Sequence, residues 1–287
     1  MEYTDQAFLM ESDRIDSLVQ RALEEDLGFG DITSKAVVDP GLMAGGEFLA
    51  KEDLVLAGWA AVLQVFRNLS SHVSLDLLHS DGSFVRAGTV IGRIQGRARS
   101  LLAGERVALN FLQQLSGVAT LTRKFVERVA GTGTEILDTR KTTPGLRCLE
   151  KDAVRMGGGK NHRFGLYDGI LIKDNHIVAA GGIRNAVSRA RSFVEHMKKI
   201  EVEVKNLVEL DEALAVGAEV ILLDNMSVSQ VREAVQKTSG RASLEVSGGV
   251  NLDNVRDYAL AGVNFISVGA LTHSAKAVDI SLELSLF

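Results

Sequence analysis

The sequence predicts an α/β protein in which an N-terminal α/β domain precedes a (β/α) barrel. Beyond Gly133, apolar strand segments alternate with amphipathic helical segments, and polar or charged residues follow each strand. Strands that alternate with helices at this spacing form parallel βαβ units, and an unbroken series of such units favours a barrel. We assign residues 1–115 to the N-terminal domain and 116–287 to the barrel, with the C-terminal tail as a candidate to pack with the first domain.

The first half of the chain has a different pattern. Apolar residues at helical spacing between positions 15 and 23 predict an amphipathic helix that ends at Gly28. Over residues 73–99, apolar and polar residues alternate between glycines, which predicts short strands joined by tight turns. Residues 101–129 predict one long helix or two abutting helices. Within the barrel, glycines that follow helical segments predict helix ends at Gly217, Gly240 and Gly262.

Composition excludes several classes of function. The chain has 287 residues and a formal net charge of -5, which argues against broad binding to nucleic acids or acidic membranes. Cys148 is the only cysteine, so neither an internal disulfide nor a cysteine-based zinc site can form. The chain has no apolar run near the ~20 residues of a membrane span, and its first residues do not resemble a signal peptide. We therefore expect a cytoplasmic location.

The densest group of charged residues lies between Asp138 and His176. The sequence DTRK follows one apolar strand segment, KDNH follows another, and a glycine run followed by Asn161, His162 and Arg163 lies between them. Together they supply a cationic cluster, which consists of Arg140, Lys141, His162, Arg163 and Lys173. In a protein that is acidic overall, such a cluster predicts a site for an anion with several carboxylates or phosphates.

The later strand ends carry carboxylates and glycines. The active sites of (β/α) barrels lie at the carboxyl ends of the strands, so these residues should converge on one mouth. Residues 247–249 (Ser-Gly-Gly) and 269–270 (Gly-Ala) predict phosphate binding, although a tight turn would also explain either one alone. Glu203 and Asp224 suit Mg²⁺, which prefers oxygen ligands and shares them with substrate phosphates. Pairing with the neighbouring cations is the alternative.

Eight motifs of the sequence, several of them long, resemble the motifs of one known protein family. They are ALEEDLGFGDITS, ERVALNFLQQLSGVAT, DTRKTTPGLR, GGGKNHRFGLYDGILIKDNH, EVEVKNLVEL, LLDN, EVSGG and ISVGALTHS, from Ala22 to Ser274. On these motifs the sequence resembles the quinolinate phosphoribosyltransferase family. The resemblance implies an N-terminal α/β sandwich domain plus an incomplete (β/α) barrel of the type II phosphoribosyltransferase kind. It also implies a homodimer with shared active sites, and a higher oligomer is left open.

The implied reaction transfers phosphoribosyl from phosphoribosyl pyrophosphate to quinolinate with decarboxylation. Its products are nicotinate mononucleotide, CO2 and pyrophosphate, a step of de novo NAD biosynthesis, and Mg²⁺ is the implied cofactor. The resemblance places the quinolinate carboxylates at Arg140, His162, Arg163 and Lys173, with Arg106 entering from the partner subunit, and Thr139 is a further substrate-binding residue. The resemblance also places Lys141 between acceptor and donor, and the ribose hydroxyls and Mg²⁺ at Glu203 and Asp224. It assigns the binding of the 5-phosphate to Ser247, Gly248, Gly249, Gly269 and Ala270. The implied catalytic residues are Lys141, Lys173, Glu203 and Asp224.

Two rival interpretations share this fold. A paralogous group associated with molybdenum transport usually alters the KDNH strand end, which is intact here. A catalytically silent binding protein would not need to keep Arg140, Lys141 and Lys173 together with the two carboxylates. Two other histidines, His176 and His273, are expected to make structural hydrogen bonds.

Overall fold

The structure is a computed structural model that describes residues 2–194 and 198–286. The chain forms two compact units, each assembled from separate stretches of sequence. The first unit comprises the residues up to Leu121, Thr143–Gly158 and the residues from Ser274 onward. The second unit comprises Thr122–Thr142 and Gly159–His273.

The helices follow the predicted alternation with strands in the second half of the chain. They are α1 (Glu2–Leu27), α2 (Ile32–Val37), α3 (Trp59–Leu69), α4 (Ala98–Arg128), α5 (Arg147–Met156), α6 (Asp174–Ala180), α7 (Ile183–Phe193), α8 (Leu207–Ala215), α9 (Val228–Thr238), α10 (Val255–Leu260) and α11 (Ala270–His273).

The strands are short, and they fall into separate sheets. They are β1 (Met43–Ala50), β2 (Leu54–Val55), β3 (Ser74–Leu77), β4 (Phe84–Val85), β5 (Val90–Arg97), β6 (Glu135–Leu137), β7 (Ile170–Ile172), β8 (Ile200–Val204), β9 (Val220–Asp224), β10 (Ser243–Ser247), β11 (Phe265–Ser267) and β12 (Ile280–Leu286).

The first unit is an α/β domain built on an antiparallel sheet of order β12-β1-β5-β3. Its core includes Phe48 of β1 and Trp59 of α3, whose rings pack edge to face with centroids 5.4 Å apart. The predicted helix over residues 101–129 is the single helix α4. At Gly117 this helix passes so close to the segment before β12 that a Cβ atom would lie 3.0 Å from the carbonyl carbon of Lys276. A larger side chain at Gly117 would therefore push the two segments apart.

The second unit contains a parallel sheet of order β6-β11-β10-β9-β8-β7. These six strands, counted over the described residues, form the predicted incomplete barrel, and an isolated bridge from Leu137 to Lys160 extends the pairing beyond β6. In the register, Asp224 faces Ser247 and Ser247 faces Ser267. The carboxyl ends of neighbouring strands therefore lie at the same level.

Helix ends in the second unit follow the sequence signals. The Asn206 side chain accepts hydrogen bonds from the first-turn amides of α8, and Ser227 forms a capping box with Gln230 at the start of α9. The predicted helix-ending glycines are in the left-handed region, with φ of 71° at Gly217, 76° at Gly240 and 95° at Gly262. Among the described residues, no helix is long and apolar enough to cross a membrane.

Candidate active site

A cavity of about 530 Å³ lies at the carboxyl ends of the parallel strands in the second unit. It is lined by Thr139, Arg140, Lys141, His162, Arg163, Leu171, Lys173, Glu203, Leu222, Asp224, Asn225, Glu245, Ser247, Gly248, Gly249 and Ser267. The structure thus brings together the whole predicted cationic cluster, both predicted carboxylates and the 247–249 loop.

Three predicted residues are not among those that line the cavity. Gly269 and Ala270 lie at the start of α11, where a Cβ atom on Gly269 would stand 3.0 Å from Cδ of Lys141. The Thr272 hydroxyl of the same helix donates to the Lys141 carbonyl at 2.7 Å, so this helix supports the Lys141 backbone. Arg106 is exposed on α4 in the first unit.

Asp138 joins the end of β6 to the segment that carries two of the cations. Its buried carboxylate accepts a hydrogen bond from the His162 amide at 2.8 Å and another from the Asn161 side chain at 2.6 Å. The backbone of that segment also pairs with β6, because the Lys160 amide donates to the Ile136 carbonyl at 2.8 Å. The His162 backbone is therefore fixed relative to the strand ends.

Both ring nitrogens of His162 have protein partners. Nδ1 accepts the Arg163 amide at 2.8 Å, so the neutral ring carries its hydrogen on Nε2. Nε2 lies 3.1 Å from Glu201 Oε2 and 3.7 Å from Glu245 Oε1. Burial, followed by the nearby Glu201 carboxylate, raises the pKa of Glu245 to about 7.

Arg163 is partly buried in the wall of the cavity. One guanidinium nitrogen donates to the Gly169 carbonyl at 3.0 Å, while its buried Nε has no hydrogen-bond partner among the described residues. Burial lowers the pKa of Arg163, the charge of Arg140 adds to that shift, and Glu201 opposes it. Two guanidinium groups are thus held near each other, which suits a multiply charged anion.

Lys173 and Glu203 form an ion pair at the ends of β7 and β8. The Lys173 amide donates to Nδ1 of His176 at 2.9 Å, so His176 makes the structural hydrogen bond expected of it. Asp174 of the same strand end pairs with Lys205 at 2.8 Å. The alternative anticipated for Glu203, pairing with a neighbouring cation, is therefore present in this structure.

The loop after β10 packs against the end of β9. Asn225 has a positive φ of 53°, its amide donates to the Ser247 carbonyl at 2.9 Å, and its side chain donates to Asp224 at 3.0 Å. Gly248 has φ of 91°, and a Cβ atom there would lie 2.6 Å from Cγ of Asn225. A larger residue at position 248 would therefore displace the Asn225 side chain and would also strain the backbone.

The sequence analysis did not predict six residues at the cavity: Leu171, Leu222, Asn225, Glu245 and Ser267, which line it, and Glu201, which contacts the His162 ring. A signal for the two carboxylates was present. Glu201 lies two residues before Glu203, and Glu245 lies two residues before Ser247. Because side chains at i and i+2 of a strand share a face, both should point into the barrel.

The fold and cavity together define a class of protein. An incomplete (β/α) barrel that presents clustered cations, two carboxylates and a glycine loop at its strand ends is suited to an enzyme acting on phosphorylated and carboxylated anions.

The chain belongs to the quinolinate phosphoribosyl transferase family. The model of the family's N-terminal domain matches residues 31–116, and that of its C-terminal domain matches residues 118–283. The chain is 45% identical over 273 residues to the "probable nicotinate-nucleotide pyrophosphorylase (carboxylating)" of Bacillus subtilis (strain 168), with 95% of this chain and 94% of the relative covered. It is 42% identical to "quinolinate phosphoribosyltransferase (decarboxylating) 1b" of Nicotiana tabacum, with 93% and 81% covered.

Solved structures support the same relationship. The nicotinate-nucleotide pyrophosphorylase of Francisella tularensis superposes with a TM-score of 0.92 at 42% identity, covering 96% of this chain and 97% of that one. The similarity therefore extends over both units.

Proposed function

We propose that the chain transfers the phosphoribosyl group of phosphoribosyl pyrophosphate to the ring nitrogen of quinolinate and releases the 2-carboxylate as CO2. The products are nicotinate mononucleotide and pyrophosphate, in de novo NAD biosynthesis. One observation of the structure carries this assignment: the cationic cluster, Glu203, Asp224 and the 247–249 loop all line a single cavity. Such a cavity can accept a dicarboxylate next to a sugar phosphate.

In the acceptor half of the cavity, cations bind the two quinolinate carboxylates. Arg140, Arg163 and Lys173 supply these cations, and Thr139 and His162 complete this half of the cavity. The unpaired Nε of Arg163 supports this role, because a buried donor without a partner is costly until an anion binds it. Leu171 and Leu222 supply apolar surface beside the ring. His162, whose ring nitrogens are both engaged by protein groups, contributes by accepting a hydrogen bond from the Arg163 amide rather than by touching a carboxylate of quinolinate.

In the donor half, backbone amides bind the 5-phosphate. The residues are Ser247, Gly248, Gly249, Gly269 and Ala270. Gly248 and Gly249 both have positive φ, a conformation that turns successive amides toward an anion. Glu203 and Asp224 face the ribose hydroxyls, and Lys141 lies between donor and acceptor. Breaking the bond from ribose C1 to pyrophosphate builds positive charge on the sugar, which these carboxylates tolerate and stabilise.

Glu203 and Asp224 are also the residues that would hold Mg²⁺. Both present carboxylate oxygens to the cavity from neighbouring strands, which is the donor type that Mg²⁺ prefers. When bound with phosphoribosyl pyrophosphate, Mg²⁺ neutralises the charge of the leaving pyrophosphate.

Decarboxylation needs no separate electron acceptor. Once the ring nitrogen carries the ribosyl group, its positive charge stabilises the electron pair left on C2 when the carbon–carboxylate bond breaks, and C2 takes up a proton from water as CO2 leaves. Arg140 and Arg163 hold the carboxylates in place for this step.

The active unit is a homodimer with shared active sites, in which Arg106 reaches the cavity of the partner subunit. Arg106 is exposed on α4, as a residue that serves a second copy must be. Phe29, Ile32 and Val37 of the first unit are large apolar residues that are fully or mostly exposed, which supports burial by another chain. Location in the cytoplasm stays a prediction.

The test measures CO2 and pyrophosphate released from quinolinate, phosphoribosyl pyrophosphate and Mg²⁺. We expect equal amounts of both products and no release when any one component is omitted. Pyrophosphate release without CO2, or release with no requirement for quinolinate, would contradict the proposal.

A further inference from the structure

Glu245 lines the cavity, and Glu201 lies against the His162 ring, which also lines it; no role has been assigned above to these two carboxylates, which we call the floor. Glu201 lies on β8 and Glu245 on β10, on either side of β9. The Glu245 side chain is 2% exposed, and those of Glu201 and His162 are each 12% exposed. Each carboxylate approaches Nε2 of His162 from inside the barrel.

This arrangement is costly for stability alone. Glu201 Oε1 and Glu245 Oε1 are buried without a hydrogen-bond partner among the described residues. Burying carboxylates with incomplete hydrogen bonding disfavours the fold, and apolar residues of similar volume would often be as stable. A structural role by itself therefore explains the pair poorly.

The floor is connected to the cationic cluster through the His162 ring. Nε2 of that ring contacts Glu201, and its Nδ1 receives the amide of Arg163. Asp138 holds the His162 amide from the other side. The His162 ring thus connects the floor to the backbone at Arg163. In addition, the Glu201 carboxylate offsets the repulsion between the charges of Arg163 and Arg140.

We propose that Glu201 and Glu245 are positioning residues for the carboxylate acceptor, holding the His162 ring so that the 162–163 turn aims Arg163 into the cavity. This inference rests on the proposed function, because it assigns the floor to the acceptor half of that reaction. The contacts named above join Glu201, Glu245 and Asp138 to His162 and Arg163, and none of them is made with the 247–249 loop or Asp224.

The experiment compares Glu201→Ala, which removes the acceptor for Nε2, with Glu201→Gln, which keeps an oxygen at that place. Loss of a hydrogen bond that organises a charged group should raise KM for quinolinate roughly ten- to a hundred-fold in Glu201→Ala. Glu201→Gln should recover most of that loss, and KM for phosphoribosyl pyrophosphate should be unchanged in both. The control is Glu219→Ala, which removes a carboxylate that bonds Arg191 and the Ile200 amide in the same unit.

A second readout follows the ring itself. In enzyme with ¹⁵N-labelled histidine rings, and with His162→Gln to assign the signal, Nδ1 of His162 should be unprotonated in the wild type and in Glu201→Gln. The signal should shift in Glu201→Ala. If the wild type failed to use quinolinate, the proposed function would fail, while this signal would still report whether Glu201 holds the ring.

Three results would overturn the inference. The first is an unchanged KM for quinolinate in Glu201→Ala despite a shifted His162 signal. The second is an equal rise in both KM values with a loss of thermal stability like that of Glu219→Ala, which marks a merely structural role. The third is stoichiometric binding of Mn²⁺ or Zn²⁺ alone that Glu245→Gln abolishes, which would make the cluster a metal site.

Discussion

Substituting Gly248 by alanine tests the phosphate loop most directly, because the structure provides both a cause and a control. At Gly248 the backbone has φ of 91°, and the new Cβ would lie 2.6 Å from Cγ of Asn225. At the neighbouring Gly249, φ is 66° and a Cβ would meet nothing within 4 Å. The two alanine variants therefore share backbone strain, but only one of them clashes.

The expected cost of each change can be estimated. Strained backbone at Gly248 costs about 2 kcal/mol, and the overpacking against Asn225 adds about 2 kcal/mol. Gly249→Ala carries only the left-handed penalty of about 1.5 kcal/mol. At about 2–4 °C per kcal/mol for a chain of this size, the midpoint of thermal unfolding should fall by roughly 10 °C and roughly 4 °C respectively.

The clash also predicts a functional effect. Displacing Asn225 removes its hydrogen bond to Asp224, so Gly248→Ala should raise KM for phosphoribosyl pyrophosphate more than Gly249→Ala does. Adding Asn225→Ala should recover about 2 kcal/mol of the stability lost in Gly248→Ala, measured as a double-mutant cycle. Equal unfolding midpoints for the two glycine variants, or a cycle with no coupling, would refute the reasoning.

Four further predictions concern the cations and the floor. Lys141→Ala and Lys173→Ala should each lose about 2.7–4 kcal/mol of transition-state stabilisation, seen in kcat/KM with an unchanged circular dichroism spectrum; wild-type turnover in either would contradict the assignment. Nicotinate lacks the 2-carboxylate and should be used far more slowly than quinolinate, because a site arranged to bind two carboxylates then binds only one; similar kcat/KM values would speak against this. The Arg106→Ala and Lys141→Ala variants, when mixed and allowed to exchange subunits, should recover about a quarter of wild-type activity. About half of the dimers are then heterodimers, and each heterodimer has one intact site. If no activity is recovered after subunit exchange has been demonstrated, Arg106 does not act in the partner's site. The pKa of Glu245 is raised to about 7, so between about pH 4.5 and 7 the native state keeps a proton that the unfolded state loses. The free energy of unfolding of the wild type should therefore decline over this range relative to that of Glu245→Gln. If the difference between the two proteins does not change with pH, the pKa of Glu245 is not raised by folding.

The sequence was informative where chemistry lies directly after a strand. Arg140, Lys173 and Asp224 each follow an apolar run, and the carboxyl ends of parallel strands meet at one mouth. These positions were therefore predictable without coordinates. In the first unit, helical and alternating patterns predicted the first helix, short strands within residues 73–99 and the long helix α4, but not the order of the strands in the sheet.

The residues that the sequence did not predict fall into two groups. Some lie farther inside the barrel than the strand ends, and others reach the cavity because of their backbone conformation. Glu201 and Glu245 lie on the same strand faces as Glu203 and Ser247, but two residues earlier in each strand. From the sequence alone, a carboxylate within a strand is interpreted as an ordinary polar residue and not as part of a site. Asn225 has a positive φ, and its side chain lies against Gly248 of the next loop. A contact between two loops leaves no periodic pattern in the sequence of either loop, so it was not predicted.

The division of the chain into units also determines how the protein can be cut. The backbone passes from one unit to the other after Leu121, Thr142, Gly158 and His273, so each unit interrupts the other in sequence. Helix α5 belongs to the first unit although its sequence lies between two strands of the second. A single proteolytic cleavage or truncation between these crossings would leave both units incomplete. Neither unit can therefore be produced as one uninterrupted segment of the chain.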